Sequence, residues 1–193
     1  MIPYVRKSFY KHFKDGVLWC ESPSCNNGYI YWEKELKDKI YKDSLSIEDE
    51  LYNKYPNAKS YALAQTVKEV YQAVEGMYHN LNTLQSRSGN QLPFTSINYG
   101  TCTEPEGRLV TKALLEVSMK GIGKLHKTSI FPCGIFQCMN GVNRKEGDPN
   151  YDLFKLALKS TAQRLYPNYA NVDWSGNAGY DVNDPRTYFS TMG

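Results

Sequence analysis

No stretch of this chain approaches the ~20 consecutive apolar residues that a bilayer-spanning helix requires. The start, Met1-Ile2-Pro3-Tyr4, lacks the charged and apolar regions of a secretory signal. A membrane role is therefore not expected, and the expected compartment is the cytoplasm. Cysteine is sparse. Five thiols, an odd number without framework spacing, exclude a secreted disulfide scaffold. Cys20 and Cys25, separated by Glu-Ser-Pro-Ser, could suit a metal knuckle, but the chain offers no second close pair and only three histidines, so no metal site is expected. Charge of neither sign dominates: 23 Lys and Arg against 20 Asp and Glu leave a net charge of +3, which is no nucleic-acid footprint. Arg6, Lys7, Lys11 and Lys14 read as the solvated face of a helix. Internal repeats and low-complexity segments are also missing.

What is present is ordinary globular material. With 193 residues, 41% hydrophobic and 22% charged, the chain can bury one real core. Its 16 tyrosines, among them Tyr29, Tyr31, Tyr41, Tyr52 and Tyr55, combine apolar rings with hydroxyls that want a partner, which suits partly buried surfaces. Residues 1–85 read as mainly helical. Pro3 fits the first turn of a helix reaching about Lys14, with Val5, Phe9 and Phe13 on one face. A second helix is expected within 32–42 and a short third one within 43–56, before a break at Tyr55-Pro56-Asn57. From Leu63 an apolar stripe runs through Val67, Val70, Val74, Met77, Leu81 and Leu84, predicting a helix packed along its whole length. Glu75, His79 and Asn82 project elsewhere, and His79 reads as a surface histidine.

The pattern then changes. Ser86-Arg87-Ser88-Gly89-Asn90 breaks the helix, and 91–100 reads as a buried strand containing Phe94 and Ile97, ended by Gly100. Thr103-Glu104-Pro105-Glu106 predicts a helix start with Thr103 as cap and Glu106 bonding back to it. Leu109, Ala113, Leu114 and Val117 give that helix its buried face, and Gly121 and Gly123 end it. A second strand over 130–139 is apolar enough to be buried on both faces. Within it Cys133 and Cys138 point to opposite faces and read as reduced, packed thiols. Asp148-Pro149 predicts a further capped helix that stops near Leu165, before Tyr166-Pro167. Strand, helix, strand, helix means a βαβ unit and a parallel sheet, hence an α/β fold. Such sheets bind ligands at the carboxyl ends of their strands. That places Asn98, Tyr99, Gly100, Thr101 and Cys102, and later 137–140, at the ligand-facing rim. The polar residues of 86–91 can cap the preceding helix or hydrogen-bond a ribose or phosphate.

Several blocks together carry a resemblance. The run NTLQSRSGNQLPFTSINYGTCTEPEGR over 82–108, Ile130-Phe131-Pro132, Gly147-Asp148-Pro149-Asn150-Tyr151-Asp152-Leu153 and the closing Thr191-Met192-Gly193 resemble the anaerobic, class III ribonucleoside-triphosphate reductases. The likeness runs from Pro3-Tyr4-Val5-Arg6-Lys7 to Gly193 and is densest between Val70 and Asp152. It implies that 86–193 holds the early strands and helices of a ten-stranded α/β barrel built from two parallel halves, with 1–85 as a helical part of the same single catalytic domain. It also implies that Arg87, Ser88, Asn90 and Gln91 belong to the nucleotide pocket, to which the strand-end rule adds Asn98. Cys102 stands where the family more often has an acidic residue in a Gly-Thr-x-Thr turn, and reads as incidental.

The resemblance further implies glycyl and thiyl radical chemistry with formate as reductant, in a homodimeric enzyme acting on ribonucleoside triphosphates. A separate activase carrying an iron–sulfur cluster and using S-adenosylmethionine installs the radical. No residue here matches the radical glycine, the four-cysteine zinc site or the thiyl cysteine, which in the family follows Met-Gly. The expectation is thus a chain inactive alone that works with the remainder of the reductase polypeptide, its coding sequence interrupted by an intein or intron. The competing expectation is a non-catalytic nucleotide-binding or assembly module that keeps part of the reductase fold.

Overall fold

The computed structural model describes residues 1–20, 45–83, 92–174, 181 and 183–184. The helix expected within 32–42 and the segments 84–91 and 191–193 lie outside them. The chain divides into two units, Met1–Val70 with Glu104–Val110, and Tyr71–Thr103 with Thr111–Gly193.

The first unit is helical. Helix α1, Ile2–Cys20, runs past the expected end near Lys14 because Val17 continues the four-residue repeat of Val5, Phe9 and Phe13, and all four are buried. A 3-10 turn, Glu50–Lys54, is capped by Asp49, whose side chain accepts from the Leu51 N–H. Helix α2, Pro56–Thr83, begins seven residues before the expected Leu63, with Pro56 at its first position. Its buried row is the expected one only in part. Val70 and Val74 are buried as expected and Leu63, Met77 and Leu81 are half-buried, but Val67 is 39% exposed and Ala58, Ala62, Thr66 and Tyr78 supply the rest of the buried row. At its start α2 comes close to α1: a Cβ on Gly16 would lie 2.9 Å from the Ala58 Cα, so the two helices meet there at small residues. Phe9 and Phe13 meet the buried Tyr52 ring edge-on at 4.9 and 4.8 Å, beside Ile47 and Tyr55.

A buried carboxylate closes this unit. Glu106 has a fully buried side chain that accepts from Arg6 Nε and from the Ile47 backbone N–H, both at 2.9 Å. Arg6 also reaches Glu104 at 2.7 Å. The expected return bond from Glu106 to a Thr103 cap is therefore corrected: Oε1 is taken by Arg6 and the Ile47 N–H, and Oε2 is buried without a hydrogen-bond partner among the described residues. Helix α3, Pro105–Lys120, starts with Pro105, and Arg108 N donates to Glu104 O at 2.9 Å. Burial also pushes the Tyr52 phenol up to about 12, with Asp49 adding to the rise.

The second unit is an open α/β layer. Strands β1 (Ser96–Tyr99), β2 (Cys133–Cys138) and β3 (Asn168–Asn171) pair in parallel in that order, joined by α3 and by α4, Tyr151–Arg164. Ser96 faces Cys133 and Tyr99 faces Phe136; Ile135 faces Asn168 and Cys138 faces Asn171. The parallel reading is borne out. The expected strand lengths were too generous. β1 covers the end of 91–100 only, since Pro93 cannot donate to a ladder, and Phe94 is 86% exposed, stacked on Phe131. β2 is buried along Gly134 to Cys138, but Ile130 is 58% exposed. Gly134 admits the Tyr99 phenol, whose oxygen would sit 2.5 Å from any Cβ there.

Tyr99, Phe136 and Cys138 share one face, packed with Leu115, Leu153 and Ala157. Ala113, Leu114 and Val117 of α3 are buried as expected, and Leu109 is half-buried. Asn82 does not merely project away from the core. Its amide donates to the Tyr78 and Phe131 carbonyls, and its oxygen accepts from the Ile130 and Phe131 N–H groups, so it locks the entry to β2. β3, which shows no strong strand pattern in the sequence, follows the left-handed Leu165 that ends α4.

Glu106 makes the first unit acid-sensitive. Burial alone would raise its carboxyl, but Arg6 and the Ile47 and Glu106 backbone N–H groups outweigh burial and hold it below its ordinary 4.5. A depressed folded-state pKa means that this stabilisation is complete above the ordinary value and disappears as pH falls through the folded one. Denaturant midpoints should therefore drop as pH is lowered below about 4.5, and Glu106→Gln should flatten that slope while lowering neutral-pH stability by about 1–3 kcal/mol. An unchanged slope in the variant would contradict the assignment.

Candidate functional site

The carboxyl ends of β1, β2 and β3 converge on one rim, and its geometry begins with a glycine. Gly100 ends β1 at φ +119°, a conformation that side-chain-bearing residues rarely adopt. A Cβ there would press on the Gln137 carbonyl and the Phe136 ring at 3.1 Å. The Gly100 carbonyl accepts from two buried amides, Asn143 Nδ2 at 3.1 Å and Asn150 Nδ2 at 3.0 Å. Asn143 also donates to Gln137 O at 2.8 Å and accepts from Met139 N at 3.0 Å. Asn150 donates to Cys102 O at 2.9 Å, and its backbone N–H reaches Val142 O at 2.8 Å. Both asparagines are 0% exposed.

β3 is tied to the same rim. Val172 N donates to Cys138 O at 3.0 Å, and the Asp173 carboxylate accepts from Asn140 N at 2.6 Å. Arg144 Nη1 donates to Asn171 Oδ1 at 3.1 Å and lies 3.5 Å from Asp173 Oδ2. The Arg144 and Lys145 N–H groups both donate to Asp148 Oδ2 at 2.9 Å. This corrects the expected role of Asp148. Its carboxylate organises the loop before α4, and Asn150 takes the position ahead of the helix.

Of the residues expected at the pocket, Asn98 is described. It is half-buried on β1 and accepts from Gln137 Nε2 at 3.4 Å, so the two amides sit side by side on the sheet face opposite Tyr99 and Phe136. Arg87, Ser88, Asn90 and Gln91 lie outside the described residues. Tyr99, Gly100, Cys102 and 137–140 do come together at the strand ends, as the topology required. Asn143, Arg144, Asn150 and Asp173 were not singled out in the sequence. For Asn150 the signal was its place in the 147–153 block, and for the others it was their crowding into polar loops that follow strands.

Burial pushes the Cys138 thiol up, with Arg144 pulling down and Asp173 pushing up, so this thiol stays protonated near neutral pH and is a packing group. Burial also holds the Tyr99 phenol well above its usual value. Among the described residues no three His, Cys, Asp or Glu side chains cluster in a way that could hold a metal ion. None is long and apolar enough in a helix to cross a membrane. A separate cleft lined by Glu75, Tyr78, His79, Val117, Lys120 and Gly121–Gly123 is bridged by the Lys120–Glu75 ion pair.

The class this defines is a parallel α/β protein with a rigid, polar rim at the carboxyl ends of its strands. The chain belongs to the anaerobic ribonucleoside-triphosphate reductase family, whose model matches residues 1–192. It is similar to the enzyme of that name from Escherichia coli (strain K12), 40% identical over 118 residues, which is 61% of this chain and 16% of that protein. It resembles the Salmonella typhimurium counterpart at 38% identity over 133 residues, covering 64% and 18%. With the Enterobacteria phage T4 reductase it shares 31% over 166 residues, covering 86% and 22%. The matched segments therefore span less than a quarter of these curated relatives.

The two buried amides generate a prediction. Asn143→Ala removes the bonds to the Gln137 carbonyl and from the Met139 N–H, and Asn150→Ala the bond to the Cys102 carbonyl, while the Gly100 carbonyl keeps the other amide; each lost buried bond costs about 1–3 kcal/mol. Each variant should lose about 2–4 kcal/mol in denaturant unfolding, with faster amide exchange at Met139 for Asn143→Ala. Loss below 0.5 kcal/mol in both would show that the amides are dispensable.

Proposed function

We propose that this chain supplies the opening strands of the catalytic barrel of an anaerobic ribonucleoside-triphosphate reductase, converting ribonucleoside triphosphates to deoxyribonucleoside triphosphates. The observation that carries this reading is the family match over residues 1–192, joined to a parallel sheet whose strand ends form one polar rim. The ten-stranded barrel is the finer form of the proposal. β1–β2–β3 would be neighbouring strands of its first half, with further strands pairing at the open edges.

Within the proposal the face carrying Asn98 and Gln137 is the inner one and faces the nucleotide, and Arg87, Ser88, Asn90 and Gln91 are proposed as further nucleotide-contacting residues. An amide such as that of Asn98 carries both donor and acceptor character, which suits hydroxyls of a ribose. The clamp on Gly100 fixes those groups in place, and positioning is where the protein contributes most when radical chemistry is supplied from elsewhere. A glycyl radical, when installed, supplies hydrogen abstraction through a thiyl cysteine, and formate supplies the electrons. The radical activase, with its iron–sulfur cluster and S-adenosylmethionine, the zinc site and the remainder of the polypeptide are proposed partners of this chain in a cytoplasmic homodimer. The described residues do not assemble a zinc site, so none of them is assigned to that metal.

The reading is tested by reconstitution. Combined with the remaining reductase polypeptide, activase, S-adenosylmethionine, formate and a ribonucleoside triphosphate, the chain should support deoxynucleotide formation, and omitting it should abolish product. Asn98→Ala should lower kcat/KM about tenfold with little change in melting temperature. Nucleotide binding by the chain without any turnover in the complete mixture would favour a binding or assembly module instead.

A further inference from the structure

Arg144 is a cation whose bonding capacity is largely unused at a place built to be rigid. Its backbone is fixed on both sides: Asn143 is fully buried in the Gly100 clamp, and the Arg144 and Lys145 N–H groups are held by Asp148. Its guanidinium is a different matter. Both of its bonds come from Nη1, one to Asn171 at 3.1 Å and one to Asp173 at the outer limit of 3.5 Å. Nε and Nη2 donate to no group among the described residues, and the side chain is 35% exposed.

Asp173 is not committed to Arg144. Its Oδ2 takes its short bond, 2.6 Å, from the Asn140 backbone N–H. A carboxylate already satisfied by a backbone donor, 3.5 Å from an arginine, holds that arginine loosely. The planar fork of free N–H groups matches the oxygens of a phosphate in two-point contact. It stands where open parallel α/β sheets place their ligands, beyond the carboxyl ends of the strands.

We propose that Arg144 is the anion-gripping residue of this rim, exchanging its loose contact with Asp173 for the phosphate oxygens of a polyphosphate ligand. Asn171 remains as the guanidinium's anchor through Nη1, and Asp173 stays bound to Asn140, so the exchange leaves no buried group unpaired. That the polyphosphate is the substrate's triphosphate rests on the reductase reading; the anion site itself does not.

The test separates the two. Inorganic tripolyphosphate is titrated into the chain by calorimetry, with no turnover involved, and the same is done with Arg144→Gln, Arg144→Lys and Asp173→Asn, each checked by circular dichroism. The expected results are saturable, salt-sensitive binding, weakened at least tenfold in Arg144→Gln, partly retained in Arg144→Lys and tightened severalfold in Asp173→Asn, where the competing charge is gone. Equal affinities in all four folded proteins, or none in the parent, would overturn the site. So would parallel weakening in Arg144→Gln and Asp173→Asn with lowered melting temperatures, which marks a purely structural tie. Arg144-dependent binding in a protein that supports no nucleotide reduction when reconstituted would leave the anion site standing and remove the reductase reading.

Discussion

One carbonyl organises the second unit. At the end of β1 the Gly100 oxygen points away from any sheet partner, and a buried carbonyl without a donor is costly. Two asparagine amides from the loop after β2 converge on it, and each also binds another carbonyl of the same rim. The arrangement requires glycine at that position, because only it adopts the backbone conformation without driving a Cβ into Phe136 and the Gln137 carbonyl. With Gly100 fixed, the β1–α3 turn, the end of β2 and the start of α4 have one relative placement.

The rim inherits its character from that constraint. Since Asn143 and Asn150 are drawn inward, the residues between them form a short, tightly held loop. Asp148 closes it by accepting two consecutive N–H groups. Charges are then distributed by what the backbone has already used: Asp148 and Asp173 each satisfy main-chain donors, and Arg144 is the group left with capacity to spare. The first unit follows a comparable logic, with one buried carboxylate, Glu106, satisfying both an arginine and a backbone N–H. In each unit a polar group inside the fold fixes segments distant in sequence. This is the use of buried polarity that its energetic cost makes most tolerable.

Membership of the reductase family gives this architecture its context. Chemistry with reactive intermediates depends on groups that are held before the reaction begins. The described thiols do not look like reactive centres: Cys138 is buried and protonated, while Cys102 and Cys133 are half-buried and unpaired in any disulfide. The amides, the arginine and the glycine turn are what this part of the chain contributes. They hold the backbone of the rim in one arrangement.

Periodicity and punctuation made the element order legible. The four-residue repeat of Phe9 and Phe13, the break at Tyr55-Pro56-Asn57, the proline opening a helix at Pro105, and Gly100 and Gly121 closing elements are local effects, so they can be read without the fold. The alternation of strand and helix carried the parallel sheet, and with it the position of the rim and of Asn98. Other features depended on neighbours that the sequence does not reveal. The small residues at the start of α2 are buried where Gly16 meets Ala58, while Val67 of the expected stripe is exposed. Glu106 binds Arg6 and the Ile47 N–H rather than the Thr103 cap. Asp148 was claimed by the loop, and Asn150, Asn143 and Arg144 became a clamp and a poised cation only once three strand ends met. Local sequence determined what each segment could form. Which polar groups were buried, and which cation remained available, was decided by tertiary structure, because hydrogen bonds are allotted among groups distant in the chain.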